Sequence, residues 1–206
     1  MSVYHWILLS GFALFLISAL SMFFIVFLKK ESNDPSPARG NVNSAILYSF
    51  TGAMSPVKKE SAYLHLPTYM AGLIFHLGTF LSFIWLVIFF FNLQFNIWFN
   101  YASSLLIFAA SFCGIGILIK RIVLSKLRSF SNPDDYISNL LVTGFQFITA
   151  LTIIMYYSLP LLFIYSTILF LYIPIGKLRH TIYFFTSRIK LGMFYGKRGV
   201  WPEKGN

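Results

Sequence analysis

LPTYMAGLIFHLGTFLSFIWLVIFFFN, residues Leu66–Asn92, contains no Asp, Glu, Lys or Arg. A run of roughly 20 apolar residues is what an α-helix needs to cross a bilayer. In lipid every backbone N–H and C=O must be satisfied within the element, so such a stretch is a helix and not a loose apolar strand. Four further runs of this kind lie around it, at Trp6–Leu28, Ile97–Ile119, Ile137–Tyr157 and Leu159–Phe185, the last two parted only by the Ser158–Pro160 turn. Composition agrees: 57% of the 206 residues are hydrophobic, 24 are Phe, and 11% are charged, against about a quarter charged in soluble domains. The fold class expected is all-α, an integral membrane bundle of five transmembrane helices. None of the five is expected to be broken by paired Gly or Pro in the manner of a transporter site, which counts against a carrier.

Charge placement orients the bundle. Met1–His5 and the Leu93–Asn96 and Ser158 turns carry no Lys or Arg, whereas the alternate segments hold all 16 cations and all six acids. Basic residues mark the cytoplasmic side, so the N-terminus is expected outside and the C-terminus inside, in a prokaryotic cytoplasmic membrane. Residues 1–190 are read as the membrane domain and 191–206 as a cytoplasmic tail. The net charge of +10 then reflects topology and contact with anionic lipid headgroups, not nucleic acid. The first helix lacks a basic leader region and is expected to be retained rather than cleaved. Cys113 is the lone cysteine, which excludes an internal disulfide or a cysteine-held cluster. The connection Glu31–Leu64 opens on the breaker Asn33-Asp34-Pro35-Ser36-Pro37, and its mildly apolar middle, Val42–Met54, is expected to lie on the membrane face.

Inside the spans there are no carboxylates, which counts against an ion-coupled carrier, and no nucleophile–base set. Histidine remains: His5, His65, His76 and His180. Ionisable groups within membranes are functional candidates because burying them without a partner is costly. His76 on the second helix and His180 near the inner end of the fifth fall at compatible depths on antiparallel helices. A neutral imidazole is a good axial ligand for haem iron, and facing helices are a common way to hold the ring; helix–helix hydrogen bonding is the other reading of such a pair. Gly72 and Gly176 each precede a histidine by four residues, on the same face, and a missing side chain there leaves room for a flat macrocycle or for close helix packing. Lys177 and Arg179 lie where propionates could meet them, or where they snorkel to headgroups. His65, 11 residues before His76, is about 20° away around the helix and roughly 16 Å nearer the cytoplasm, and is the alternate ligand. His5 is expected at the outer interface without a partner.

Phe75-His76-Leu77-Gly78 on the second helix, with Pro174-x-x-Lys177-Leu178-x-His180 closing the fifth, resembles the gamma subunit of respiratory nitrate reductase. It is similar also to the membrane cytochromes b of heterodisulfide-reductase-like and sulfite-reduction-linked complexes. The resemblance covers most of the chain in layout and two short segments in sequence. It implies a membrane cytochrome b that passes electrons between the quinone pool and a cytoplasmic-side or peripheral iron–sulfur subunit, an electron-transfer subunit and not a free-standing enzyme. The family pattern has four haem-ligating histidines; here Leu86 and Leu162 stand where the outer pair would lie. The implied content is therefore one haem b held by His76 and His180, a second requiring His65 or His5. The basic inner face would dock the partner, with Tyr195 and Trp201 in the tail as anchors. A haem-free anchor or assembly subunit and a small transporter are the rival readings. Under the five-helix reading, a reporter fused after Asn206 reads cytoplasmic and one inserted in Leu93–Asn96 reads external; an external C-terminus overturns it.

Overall fold

The computed structural model describes residues 2–29, 37–55 and 65–202; the charges at Lys30, Glu31, Asp34, Lys58, Lys59, Glu60, Glu203 and Lys204 lie outside them. The described residues are helical, with short 3-10 turns and no strand. In chain order the helices are α1 (Val3–Phe27), α2 (Val42–Phe50), α3 (Leu66–Phe90), α4 (Ile97–Val123), α5 (Ser125–Ser129), α6 (Pro133–Ile154), α7 (Leu159–Tyr172) and α8 (His180–Lys197). Four of them, α1, α3, α4 and α6, are long and apolar enough to cross a membrane, and a fifth crossing is counted if Tyr156–Tyr172 and Lys177–Lys197 form one broken span. The chain is a multi-pass membrane protein by this measure.

Helix boundaries follow local chemistry. Pro67, Pro133 and Pro160 sit in the first turns of α3, α6 and α7, where a missing N–H costs nothing. Asn96 caps α4 by accepting from Trp98 N at 2.9 Å. Asn132 and Asp135 form a reciprocal capping box on α6, satisfying two donors that would otherwise be orphaned. The α3–α4 hairpin turns through Asn92, whose φ of 51° is left-handed backbone that Asn tolerates better than most residues.

The expected fifth helix is corrected. Its first part, α7, ends at Tyr172; Ile173–Gly176 is non-helical, Lys177–Arg179 is a 3-10 turn, and α8 begins at His180. Pro174 supplies the break, since it cannot donate to the carbonyl one turn back. At 14 residues, α7 alone spans only about 21 Å, less than the roughly 30 Å hydrocarbon core. The expectation of no transporter-like break by Gly and Pro therefore does not hold at Pro174 and Gly176, where the fifth run is interrupted.

The chain divides into two compact units, Met1–Leu16 with His65–Leu178, and Ile17–Leu64 with Arg179–Asn206. In the first, α3, α4, α6 and α7 pack on one another. Gly78 of α3 abuts Ala110 of α4 so closely that a Cβ there would overlap that of Ala110. Such small-residue contacts draw membrane helices together, because lipid provides no hydrophobic drive for them to associate. Ser104 Oγ donates to Ala150 O across α4 and α6 at 2.9 Å.

In the second unit the Val42–Met54 segment forms α2, capped by Asn41, and packs on α8. Ala45 and Ser49 of α2 and Gly192 and Gly196 of α8 are all buried. Ser49 Oγ donates to Arg188 O at 2.8 Å, and Arg39 N donates to Lys197 O at 2.8 Å. Trp201, expected as a partner-facing anchor, lies against Tyr195 at 4.5 Å and Tyr48 at 5.6 Å between ring centroids. A Cβ on Gly192 would come within 2.5 Å of Ile46 Cα, which is backbone and cannot rotate aside. Gly192→Leu is expected to destabilise this pair by about 1–3 kcal/mol, read as a lowered thermal midpoint and faster proteolysis within residues 37–55; an unchanged midpoint would contradict the α2–α8 packing.

Candidate functional site

The expected ligands fall in different units. His76 lies mid-way along α3 and is exposed; His180 is the first residue of α8 and is also exposed. Phe75, next to His76, turns inward, its ring occupying the space beside Gly114 of α4. The polypeptide at this level is held by Gln146 of α6, whose Nε2 donates to Phe75 O at 2.8 Å and to Thr79 Oγ1 at 2.7 Å. Gln146 is fully buried, so this clamp fixes the rotation of α3 and with it the direction of His76.

Gly72 and Gly176 differ. Nothing lies within 4 Å of a Cβ built on Gly72, so among the described residues the α3 surface is open at Gly72, one turn before His76. At Gly176 the Tyr172 ring already occupies that space. Gly176 thus serves the tight turn after α7, and its missing side chain leaves no room for a macrocycle.

Lys177 also has an occupation: its Nζ donates to Asp135 Oδ1. Arg179 is exposed at the N-terminal boundary of α8. His65 is the N-cap of α3, with no side-chain capping bond, at the helix entrance as its position before Pro67 implies. His5, expected without a partner, has several: Nδ1 lies 2.8 Å from Ser2 Oγ, and its ring packs edge-on to Phe163 at 4.9 Å and against Phe90 at 5.5 Å. Leu86 and Leu162, which replace the family's outer ligands, are 4% and 0% exposed; both are core side chains.

A polar cluster around Asp134 and Asp135 was not anticipated. Asp135 is 7% exposed, the one charged side chain buried among the described residues. Arg121 Nη1 approaches its Oδ1 at 3.3 Å and reaches Ser131 Oγ at 3.1 Å. Beside it, Tyr172 OH donates to Asp134 Oδ1, and Ser138 Oγ reaches the same oxygen at 3.2 Å. Lys120 Nζ donates to Thr68 Oγ1, so the start of α3 and the end of α4 share this end of the unit. Asp134-Asp135 after Asn132-Pro133 is a local helix-start pattern, ahead of the Ile137 start expected from hydropathy, but nothing local indicates that cations from α4 and from the turn after α7 converge on it.

No protein-family model, curated protein or solved structure matches the chain. The likeness to nitrate reductase gamma subunits rests on the two short segments and the helix layout alone.

Asp135→Ala would leave Arg121 and Lys177 without their carboxylate and remove half of the α6 capping box. Both cations are partly solvated, at 33% and 55% side-chain exposure, so the loss is expected at the low end for broken buried pairs, about 3 kcal/mol. Asp135→Asn, which keeps an acceptor, should lose less. Thermal midpoints of the purified chain and both variants check the order.

Proposed function

We propose that this chain is the membrane cytochrome b subunit of a respiratory quinone oxidoreductase, with a single haem b ligated by His76 and His180, an external N-terminus and a cytoplasmic C-terminus. The observation that carries the reading is an imidazole midway along an apolar span, His76 of α3, with open space one turn before it at Gly72. A membrane helix rarely keeps an ionisable side chain at this depth without a task. The buried leucines at 86 and 162 support one haem and not two.

When bound, the haem would supply one-electron chemistry that the amino acids lack. The chain's own residues bind, orient and shield it. His76 is aimed by the Gln146 clamp on Phe75 and Thr79, an outer-layer constraint of the kind that tunes ligand orientation. His180 opens a helix directly after a turn, so its imidazole is positioned by the Pro174–Arg179 segment and not by a continuous fifth helix. Since Lys177 is engaged by Asp135, Arg179 is the better cation for a propionate. Quinone in the bilayer and an iron–sulfur subunit at the basic face would be the redox partners.

The reduced-minus-oxidised spectrum of the purified chain is expected to show a low-spin bis-histidine b haem, one per polypeptide. His180→Ala and His76→Ala should each abolish that spectrum, while His65→Ala keeps it. Loss in His65→Ala with retention in His76→Ala would move the iron about three helical turns along α3. A chain that carries no haem would be a membrane anchor.

A further inference from the structure

The end of the first unit opposite Asp135 carries a second candidate site. Around the α3–α4 hairpin, a cavity of about 470 Å³ is lined by residues including Trp85, Phe89, Asn92, Gln94, Asn100 and Tyr156, all of the same unit. Its volume is within the roughly 300–1,000 Å³ of small-molecule sites. Two of its lining atoms are buried and have no hydrogen-bonding partner: Trp85 Nε1 and Asn100 Oδ1. Trp85 is 3% exposed, so its N–H cannot turn to solvent, and a buried polar group left unpaired is costly. An indole N–H with nothing to donate to, beside a carboxamide oxygen with nothing to accept, defines a ligand that offers both an acceptor and a donor.

The rest of the wall narrows the chemistry. It contains no Asp, Glu, Lys or Arg, which disfavours phosphate-bearing or ammonium headgroups. Polar groups are distributed around it: Tyr156 OH donates to Asn92 Oδ1 at 3.2 Å at the exposed rim, Gln94 is exposed beside them, and Trp85 and Asn100 lie deeper. A quinol offers two polar atoms on one axis, whereas this wall presents five polar side chains. The apolar part is mostly aromatic, with Trp85 edge-on to Phe95 at 6.3 Å and Phe89 edge-on to Tyr156 at 6.2 Å, beside Leu93 and Ile153. Aromatic faces are electron-rich and suit the weakly positive C–H faces of a saturated ring. Trp85 lies five residues before the end of α3, about 7 Å in, at the interfacial depth where Trp and Tyr gather.

We infer that this cavity binds an uncharged, polyhydroxylated ring, the chemistry of a glycosyl headgroup or a free hexose. The inference does not rest on the haem reading, and its test involves no haem.

The full chain is placed in phosphatidylcholine nanodiscs with monoglucosyl diacylglycerol, and bound lipid is counted by native mass spectrometry. The glycolipid is expected to be retained over phosphatidylcholine, with affinity falling about tenfold in Trp85→Phe and in Asn100→Leu. Tyr156→Phe, on the exposed rim, should lose several-fold with an unchanged thermal midpoint and serves if the buried variants misfold. Displacement by methyl glucoside identifies the sugar ring alone as ligand; retention in its presence identifies the lipid-borne form. Equal retention of glycolipid and phosphatidylcholine, preference for a short-chain hydroquinone or for phosphatidylglycerol, or affinity unaltered in all three variants overturns the assignment.

Discussion

A carboxylate buried at the start of α6 organises the described membrane unit. Taking an ion out of water costs several kcal/mol unless opposite charge and hydrogen bonds replace the solvent. Asp135 meets that demand from three directions: Asn132 in its own cap, Arg121 from the end of α4, and Lys177 from the turn after α7. Satisfying one carboxylate therefore places three segments together at a single level. Asp134 extends the same junction through Tyr172 and Ser138. With the unit's cations and acids gathered here, the hairpin end around Asn92 is left to neutral amides and aromatic rings.

Between these two ends the helices are joined by a few buried polar links. Gln146 reaches a backbone carbonyl and a hydroxyl on α3, and Ser104 reaches a backbone carbonyl on α6. In water such bonds would compete with solvent; in an apolar interior the alternative is an unsatisfied group, although measured gains are about a kcal/mol each. Their main effect is geometric. They choose one rotation for α3, the one that turns Phe75 inward and leaves Gly72 and His76 on the outer face.

The interruption after Tyr172 changes what His180 is. In a continuous helix, its depth and direction would be set by helical geometry from the α7 core. After Pro174 and Gly176 they are set by a turn in which Lys177 is tied to Asp135, so the junction that stabilises α6 also lies one turn from the proposed second ligand. The same break removes an argument against a carrier, although the spans still hold no carboxylate beyond the capped first turn of α6. The second unit shows a different means of cohesion. There Gly192 and Gly196 let the α8 backbone lie against Ala45 and Ser49 of α2, and the aromatic tail folds back on Tyr48.

Hydrophobicity is a property of residues taken in order, so long apolar runs and the alternation of charged and uncharged connections were legible directly. Helices α1, α3, α4 and α6 lie where those runs predicted them. So were the chemistry-bearing residues: an imidazole in an apolar span stands out by composition, and leucine at 86 and 162 is plain to read. What could not be read was anything requiring two distant segments to meet. The fifth run is nearly as apolar as the others, and one Pro with one Gly is tolerated in many membrane helices; here Pro174 breaks the helix locally, and the turn that follows is tied down by the Lys177–Asp135 pair, which joins residues 42 apart. Partners for His5, the clamp of Gln146 on α3, and the convergence of Trp85 and Asn100 on one cavity are likewise absent from any local pattern. Local sequence determines which backbone conformation each segment can hold without water, while the pairing of polar groups across segments depends on which faces come into contact, and only the tertiary structure settles that.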